Sequence, residues 1–487
     1  MKNGASFSNA RYEYAYLKTG PGHASVATGA YSHLHGITAN RWYDREKKQV
    51  VNCVDDKTEM LLGSTGMGRS PRTLMIATMG DQLRLQIGNG SKVIGIAGKD
   101  RSAILMAGKT GTAYWIEDSV VVSSTYYMKS FPSYISTFNS SGIFQRYYAR
   151  PWTEMKPAVA AKICDMDDAP YESGWAGLGR TFPRRIIGKD SLRITPSYYS
   201  ALEGSPFSTE ILIELGQTIV TAESLGTRGA TDMLCIGISA TDIIGHSFGP
   251  NSHEVFDHVL RTDSLLANFF YFLDTKIGLA NCIIVLSSDH GIPPIPEYLK
   301  KNSPGRDAGR ITADTISAIA NRLLMNHFSG RSTTSRWIDK VIDCDIYLKS
   351  AYADSLHIPL DSVMHTLRDA LPTIHPFAAA YSRDQIARGR KLDALGKKVA
   401  LSYYAPRSGD VMFILKPYFI TGADATNHGL PYDYDTHVPL IIEGKGIKPG
   451  VYSGRASPID IAPTLSYLLK TKFPKGREGM VLKEALR

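Results

Sequence analysis

Short apolar runs of strand length, separated by longer segments with helical periodicity, are the feature that most constrains the fold of this chain of 487 residues. The runs that we predict to be buried strands are 92–97, 232–238, 282–286, 411–415 and 438–442. Apolar strands that alternate with helices are typical of a sheet covered on both faces. The pattern therefore predicts an α/β fold with a largely parallel sheet and helices on both sides of it.

Helical spacing is found between these runs, in segments 72–87, 209–225, 253–277, 313–328 and 461–470. The first of these helices is predicted to follow Ser70-Pro71, because serine is a good N-cap and proline suits the first helical position. Two stretches break the alternation. Segment 126–204 is irregular and rich in aromatic residues and proline, and segment 293–407 contains extra helices. We interpret them as a cap-like insertion and a second insertion in one domain spanning 1–487.

Composition excludes several classes of protein. The chain is 43% hydrophobic and 21% charged, and its net charge of +9 comes from scattered basic residues, so we expect no nucleic-acid partner. Its five cysteines form no CxxC pair, which argues against a zinc ribbon or a thioredoxin-type site. There is no apolar run of 18 residues, so we expect no transmembrane segment, and the polar first residues do not resemble a signal peptide.

The stretch from Thr19 to Ala30 contains the candidate nucleophile. Thr19 precedes Gly20-Pro21-Gly22, and a helix is predicted to start there, which would put the threonine hydroxyl at a helix N-terminus. The free N–H groups and the positive end of the helix dipole favour an anion at that position. Because a threonine hydroxyl is a weak nucleophile, it needs a metal or a base. A Gly-Pro turn before an ordinary buried helix explains this stretch equally well.

Two predicted strands are each followed by a carboxylate and an imidazole. Asp242 and His246 follow strand 232–238, and Asp289 and His290 follow strand 282–286. Since the carboxyl ends of parallel strands meet at one edge of a sheet, the two pairs are expected to lie together. Oxygen and imidazole donors suit zinc. Each pair alone occurs often by chance, but the two together predict a dinuclear metal site.

A further ligand is expected to be a histidine, and there are two candidates. His428 lies in a loop, whereas His437 immediately precedes strand 438–442. A residue before a strand lies at the opposite end of a parallel sheet from the predicted ligands, so we favour His428.

Phosphate-binding groups are suggested near the same edge. Lys99 and Arg101 follow strand 92–97, and a lysine next to an arginine can hold phosphate oxygens. Asn40, 21 residues after Thr19, could donate its amide to a phosphoryl oxygen. A solvated turn around Lys99 and a simple turn at Asn40 are the ordinary alternatives.

Taken together, the motifs resemble those of the alkaline phosphatase superfamily. They are TGPGHAS with HGI-x-x-N-x-WYD, SKVIGIAGKDR, D-x-x-x-H-x-FGPNS, SSDHG, HG-x-PYDYDTHVPL and SPIDIAPTLSYLL, in order along the whole chain. The resemblance is greatest to the phosphate-irrepressible monoesterases of the periplasm that use threonine as nucleophile, in a group related to type I phosphodiesterases and nucleotide pyrophosphatases. It implies one alkaline-phosphatase-like catalytic domain, two Zn²⁺ ions, a small phosphate ester as substrate and a periplasmic or secreted location.

Carried over by the resemblance, one zinc would be held by Asp242, His246 and His428. The other would be held by Thr19, Asp289 and His290, and the phosphoryl oxygens would be bound by Asn40, Lys99 and Arg101. The family has one more aspartate ligand, at the end of a first strand upstream of the threonine. Asn3, Glu13 and Asp44 are not convincing replacements for it.

The expected function is phosphomonoester hydrolysis through a phosphothreonine, and two alternatives stay open. One is a nucleotide pyrophosphatase or phosphodiesterase, and the other is an inactive remnant that only binds phosphate. A sulfatase is disfavoured because Thr19 stands where a modifiable cysteine or serine is required. From the lacking aspartate we also expect an N-terminal truncation, with a signal peptide, a strand and an aspartate encoded upstream of Met1. Such a chain is expected to bind the zinc next to Thr19 weakly, and to be poorly stable or nearly inactive.

Overall fold

The protein is described by a computed structural model that covers residues 3–328, 337–389 and 392–487. Helices and strands alternate along most of it. The strands are β1 Ala5–Phe7, β2 Arg41–Asp44, β3 Gln49–Asn52, β4 Asp55–Leu62, β5 Met67–Arg69, β6 Val93–Ala97, β7 Thr112–Glu117, β8 Val120–Ser124, β9 Pro151–Trp152, β10 Arg184–Arg185, β11 Met233–Gly237, β12 Ile283–Ser287, β13 Gly309–Ile311, β14 Ile338–Ile342, β15 Asp345–Leu348, β16 Phe377–Ser382, β17 Val411–Leu415, β18 Phe419–Thr421, β19 Leu440–Gly444 and β20 Gly450–Tyr452.

The helices surround these strands. They are α1 Thr19–Thr28, α2 Ser32–His35, α3 Met79–Ile87, α4 Asp100–Ala107, α5 Ser133–Ser140, α6 Pro157–Ile163, α7 Pro196–Glu203, α8 Pro206–Ala222, α9 Ala240–Phe248, α10 His253–Lys276, α11 Pro296–Asn302, α12 Ala313–His327, α13 Ser350–Ser355, α14 Leu360–Ala370, α15 Arg383–Arg388, α16 Ala394–Ser402, α17 Asp433–Thr436 and α18 Ile461–Leu468. The longest, α10, packs against α8 and α9. Within the described ranges, no helix is both long enough and apolar enough to cross a membrane.

A six-stranded sheet in the order β11-β6-β7-β8-β4-β5 carries one half of the site. Its second strand, β6, is completely buried and runs parallel to β11 and to β7, while the remaining pairs are antiparallel. Helix α4 packs so closely on β6 that a Cβ atom on Gly95 would lie 2.2 Å from the carbonyl oxygen of Ala103. Glycine at this position therefore lets the helix that follows Lys99 fold back onto its own strand.

A four-stranded sheet in the order β12-β19-β1-β20 carries the other half. Strand β19 is antiparallel to β12, with Ser287 opposite Leu440, and is also antiparallel to β1. Because of this direction, the start of β19 lies next to the end of β12. In the described part of the chain, β11 and β12 are edge strands of their two sheets, and all their residues are only half-buried.

A third sheet, in the order β14-β15-β17-β16, is antiparallel throughout. Its strand β17 is completely buried, and its core includes apolar residues of α12 and α14. Segment 126–204 contributes to a different core, which it shares with α8 and α10. These packing relations do not test where the two insertions begin and end, so the boundaries 126–204 and 293–407 remain predictions.

The predicted α/β class is confirmed. The predicted strands are found at nearly the expected positions, but the pairing is mixed, and the strand predicted at 411–415 belongs to the separate antiparallel sheet. The helix predicted at 72–87 begins only at Met79. Ser70 does not cap it, because the Ser70 hydroxyl donates a hydrogen bond to the Asp56 carboxylate at 2.6 Å.

The cap of α3 is provided by Thr78, whose hydroxyl accepts a hydrogen bond from the Asp81 N–H at 3.0 Å, while the Asp81 carboxylate accepts one from the Thr78 N–H at 2.9 Å. Both residues are buried. We expect Thr78→Ala to lower the free energy of unfolding by about 1–2 kcal/mol, because a buried N–H group loses its acceptor. Urea unfolding measures this, with Thr137→Ala, an exposed helical threonine that does not cap, as the control. Equal stability of the two variants would contradict the assignment of the cap.

Candidate metal and phosphate site

Thr19 is the first residue of α1 and is buried, with 3% of its surface exposed. The next N–H group of the helix, that of Gly20, donates a hydrogen bond of 2.7 Å to the Asn40 side-chain oxygen. Asn40 is therefore held beside the start of the helix by the residue that follows Thr19. Pro21 has no N–H group and the Gly22 N–H donates to the Lys18 carbonyl at 2.9 Å, so an anion at this end of the helix is favoured mainly by the helix dipole.

Gly22 allows α1 to approach the Asp289 loop. A Cβ atom on Gly22 would lie 2.6 Å from both the Cβ atom and the carbonyl oxygen of Asp289, which is closer than van der Waals contact permits. One residue further on, His23 Nδ1 lies 3.2 Å from Asp289 Oδ2. His23 was not among the site residues predicted from the sequence. Its position four residues after Thr19, on the same face of the helix, is the signal that could have identified it.

Helix α9 supplies Asp242 and His246, which are one turn apart. Asp242 Oδ1 lies 3.4 Å from His246 Nε2 and 3.4 Å from His428 Nε2. The potential donor atoms of these three residues all lie within 4.8 Å of one another, as in a metal site. The loop that carries His428 is held by Lys18, whose ammonium group donates a hydrogen bond of 2.7 Å to the His428 carbonyl.

The second predicted pair adjoins this triad. His290 Nε2 lies 3.3 Å from Asp289 Oδ2 and 3.8 Å from Asp242 Oδ1. The imidazole rings of His290 and His428 stack with their centroids 3.4 Å apart. The structure thus brings together Asp242, His246, Asp289, His290 and His428, from three separate parts of the chain.

Each of the three imidazoles is oriented by a backbone carbonyl. The Nδ1 atoms of His246, His290 and His428 lie 2.8, 3.0 and 2.6 Å from the carbonyl oxygens of Thr426, Gly291 and Leu17. A carbonyl can only accept, so each Nδ1 carries the proton and each Nε2 presents its lone pair to the carboxylates.

A divalent cation fits this arrangement. His290 Nε2 is buried and has no hydrogen-bond partner among the described residues. Carboxylate oxygens and unprotonated imidazole nitrogens in one place are the donors that zinc prefers. An unsatisfied buried lone pair costs free energy that a metal ion would recover.

The protonation states agree with such a role. Burial alone would raise the pKa of Asp242, but the positive charge of Lys99, supported by the three neighbouring imidazoles, outweighs burial and holds this pKa well below its usual range. Burial lowers the pKa of His290. Burial, the neighbouring His290 imidazole and the Lys18 ammonium together hold the pKa of His428 well below its usual value. Ionised carboxylates and neutral imidazoles are the forms in which these groups bind metals.

Lys99 and Arg101 lie at the end of β6 and the start of α4. The Lys99 ammonium pairs with Asp242 Oδ2, and its backbone N–H donates to the Ser239 hydroxyl at 3.0 Å. Arg101 Nε is buried and has no hydrogen-bond partner in the described ranges.

Cys53 connects Arg101 to the helix that begins with Thr19. Its Sγ lies 3.1 Å from where a Cβ of Gly20 would be, and burial raises its pKa to about 12 although the Arg101 charge acts to lower it. Arg101 is therefore within electrostatic reach of the first turn of α1.

His437 lies elsewhere, with its Nε2 atom 3.0 Å from the Ser8 carbonyl oxygen. The prediction that His437 lies at the opposite end of the sheet was wrong, however, because β19 is antiparallel to β12 and its start is at the same edge as Asp289. It is the local hydrogen bond to Ser8 that turns His437 away. The two histidines therefore differ in the direction of their side chains, because His428 points toward Asp242 and His437 points toward Ser8.

Three polar residues near the N-terminus were considered as a further ligand, and the contacts recorded for the described residues do not join them to the cluster of carboxylates and imidazoles. Glu13 pairs with Arg455 at 2.7 Å, and Asp44 pairs with Lys47 at 2.7 Å. Asn3 is exposed and precedes β1. None of these three residues therefore takes the place of the additional aspartate ligand that the resemblance implies.

The class of protein follows from comparison with known families. The family model of the type I phosphodiesterases and nucleotide pyrophosphatases matches residues 1–438 of this chain. The chain therefore belongs to that family, and the predicted relationship to the alkaline phosphatase superfamily is confirmed. The predicted enzyme class, an alkaline-phosphatase-type hydrolase of phosphoric esters, is confirmed because the similar proteins are alkaline phosphatases.

Two alkaline phosphatases are similar to this chain over its whole length. The chain is 32% identical to alkaline phosphatase PhoV of Synechococcus elongatus, over all of this chain and 87% of that protein. It is 31% identical to alkaline phosphatase PafA of Elizabethkingia meningoseptica, over all of this chain and 89% of PafA. A crystal structure of PafA superposes with a TM-score of 0.92, at 30% identity, over all of this chain and 92% of that one.

The contact at Gly22 provides a test of the site geometry. We expect Gly22→Ala to lower the free energy of unfolding by about 1–3 kcal/mol, because the added methyl group must displace Asp289 or α1. Gly216→Ala in α8 is a matched control, since a Cβ atom there lies 3.4 Å from its nearest neighbour and alanine favours a helix. Thermal and denaturant unfolding of both variants would measure the difference. A Gly22→Ala protein as stable as the wild type would show that α1 and Asp289 are not in this contact.

Proposed function

We propose that the protein hydrolyses phosphomonoesters through a covalent phosphothreonine on Thr19, at a site that holds two Zn²⁺ ions. The observation that carries the proposal is the convergence of two carboxylates and three oriented imidazoles at the helix that starts with Thr19. The relatives named alkaline phosphatases support the same activity.

The residues that would hold the ions are divided as the resemblance implies. Asp242, His246 and His428 would bind one zinc, and Asp289, His290 and the Thr19 oxygen would bind the other. When bound, zinc supplies positive charge that lowers the pKa of a hydroxyl or a water molecule and stabilises anionic oxygens.

The chain's own groups position the phosphoryl group. Asn40 Nδ2 and the guanidinium of Arg101 donate hydrogen bonds to its oxygens, and Lys99 neutralises the charge of a dianionic monoester. The Thr19 oxygen then attacks phosphorus in line, so that the threonine O–P bond forms while the ester O–P bond breaks and the alcohol leaves with a proton.

In the second step a water oxygen attacks the phosphothreonine. A new O–P bond forms, the Thr19 O–P bond breaks, and the threonine hydroxyl is restored as phosphate leaves. The first turn of α1 favours negative charge on the phosphoryl group in both steps, because the positive end of the helix dipole lies there.

Two other functions are consistent with family membership. A nucleotide pyrophosphatase or phosphodiesterase would use the same metal ligands but accept a second ester group. An inactive phosphate-binding remnant would use only Lys99 and Arg101, which we call the phosphate clamp. Lys99 beside Arg101 favours monoesters, which carry the extra charge. Metal analysis, combined with turnover of a chromogenic monoester and of the matching diester, separates the three functions.

A periplasmic or secreted location is part of the same proposal and rests on the resemblance. Fractionation of cells that express the protein from its own gene would test it, and recovery only in the cytoplasm would contradict it.

We expect Thr19→Ala to reduce monoester turnover by at least about 10³-fold while the unfolding temperature changes little, because the attacking oxygen is lost and only a small side chain is removed. Thr19→Ser keeps a hydroxyl group and is expected to retain measurable activity. Acid-quenched mass spectrometry should detect a phosphorylated peptide containing Thr19 in the wild type and not in the alanine variant. Near wild-type activity of Thr19→Ala would remove Thr19 from this role.

We expect Lys99→Ala to lower kcat/KM for monoesters by about 10²-fold and to affect diesters much less, because only a monoester carries the second negative charge. Lys109→Ala, at the other end of α4 and exposed, is the control. Steady-state kinetics with both substrates would measure the ratio. Equal losses for the two substrates would exclude Lys99 as the group that selects monoesters.

A further inference from the structure

A cavity of about 320 Å³ adjoins the phosphate site and is not used by the chemistry described above. Its wall includes Gly98, Ser239 and Ala240 on the side of the phosphate site, together with Glu117, Asp118 and Glu203. Gly98 directly precedes Lys99, and Ser239 accepts the Lys99 N–H. Ala240 begins the helix that carries Asp242. The cavity therefore shares a wall with the clamp, where the alcohol part of a bound ester would lie.

The charge of this cavity is opposite to that of the clamp. Glu117, Asp118 and Glu203 line it, and none of its lining residues is basic. Among the described residues, none of the three carboxylates forms an ion pair, although the chain as a whole is basic.

A second observation also points to an occupant. Thr209 is 1% exposed, and its hydroxyl has no hydrogen-bond partner in the described part of the chain. Buried hydroxyl groups are nearly always hydrogen-bonded, so an unpaired one in the wall of a cavity indicates a group that the occupant satisfies.

The donor protons of two serine hydroxyls in the wall are already engaged, and one oxygen of Glu117 accepts a hydrogen bond from the Trp115 indole at 2.9 Å. The Ser200 hydroxyl donates to the Pro196 carbonyl at 3.3 Å, and the Ser208 hydroxyl donates to the Ser205 carbonyl at 2.9 Å. The groups left for a ligand are mainly acceptors. A sugar or other polyol needs donors and acceptors in balance, whereas an ammonium group offers three donors, no acceptor and a positive charge.

We propose that this cavity selects phosphate monoesters whose alcohol carries a positively charged amine, such as a short amino alcohol. This inference rests on the proposed function. The phosphate binds at Lys99 and Arg101, and the ammonium group binds among Glu117, Asp118 and Glu203, with the Thr209 hydroxyl accepting one of its hydrogen bonds. A volume of about 320 Å³ accommodates such an aminoalkyl group, since one water molecule occupies about 30 Å³.

The test compares two phosphonates of nearly equal size, which bind without being hydrolysed. Titration calorimetry with 2-aminoethylphosphonate and with propylphosphonate measures the contribution of the ammonium group alone. We expect the amine to bind about tenfold more tightly, as several weak contacts between an ammonium group and partly exposed carboxylates would provide. Weaker or equal binding of the amine overturns the inference.

Two substitutions locate the effect. The double variant Asp118→Asn and Glu203→Gln should reduce the preference to about twofold or less without weakening the binding of propylphosphonate, because the removed charges repel an anion. Both positions are exposed, and asparagine suits the left-handed φ of +48° at Asp118, so folding should be preserved. Asp314→Asn, an exposed carboxylate that does not line the cavity, is the matched control. An undiminished preference in the double variant overturns the assignment of the cavity.

Hydrolysis of propyl phosphate separates this inference from the proposed function. If propyl phosphate is hydrolysed and the two phosphonates bind equally, only the amine selectivity is wrong. If propyl phosphate is not hydrolysed by the zinc-loaded protein, the proposed function is wrong, and the calorimetric comparison still decides what the cavity binds. A preference for 2,3-dihydroxypropylphosphonate over the amine would assign the cavity to polyols and overturn the inference.

Discussion

The concentration of charge around Asp242 is the constraint on which the rest of the site depends. Its carboxylate is largely shielded from water, and an isolated buried charge is very costly. Lys99 pairs with one oxygen, while His246 and His428 lie 3.4 Å from the other. The helices, strands and loops that carry Lys99, His246 and His428 must therefore all place these side chains next to the Asp242 carboxylate. The end of β6, the first turns of α9 and the loop before α17 are fixed relative to one another by this one carboxylate.

Close approaches of the backbone make this convergence possible. Gly95 lets α4 pack on β6, and Gly22 lets α1 reach the loop of Asp289. A side chain at either position would push a whole helix outward, and with it Lys99 or Thr19. The glycines therefore act through helix position, and they set how closely Thr19 and Lys99 approach the cluster around Asp242 and Asp289.

Charge changes sign over a short distance at this site. Lys99 and Arg101 make the floor of the clamp positive, whereas Glu117, Asp118 and Glu203 make the neighbouring cavity negative. Partners of opposite sign can thus bind side by side without neutralising each other, because the wall formed by Gly98 and Ser239 separates them. A uniformly basic surface would bind any phosphate, but this arrangement can discriminate between alcohols.

The sequence by itself determined the α/β class, the positions of most strands and the identity of the candidate ligands. These depend on apolar periodicity and on which residues follow each strand, and both are local properties. Helix α3 was misplaced because Ser70 and Thr78 are both good caps, and only the contact of Ser70 with Asp56 distinguishes them. The tertiary structure alone decided the mixed strand directions, the side-chain direction of His437, the contact of His23 with Asp289 and the acidic cavity beside the clamp. The physical reason is that strand pairing and side-chain direction depend on residues far apart in the chain, which no local pattern encodes.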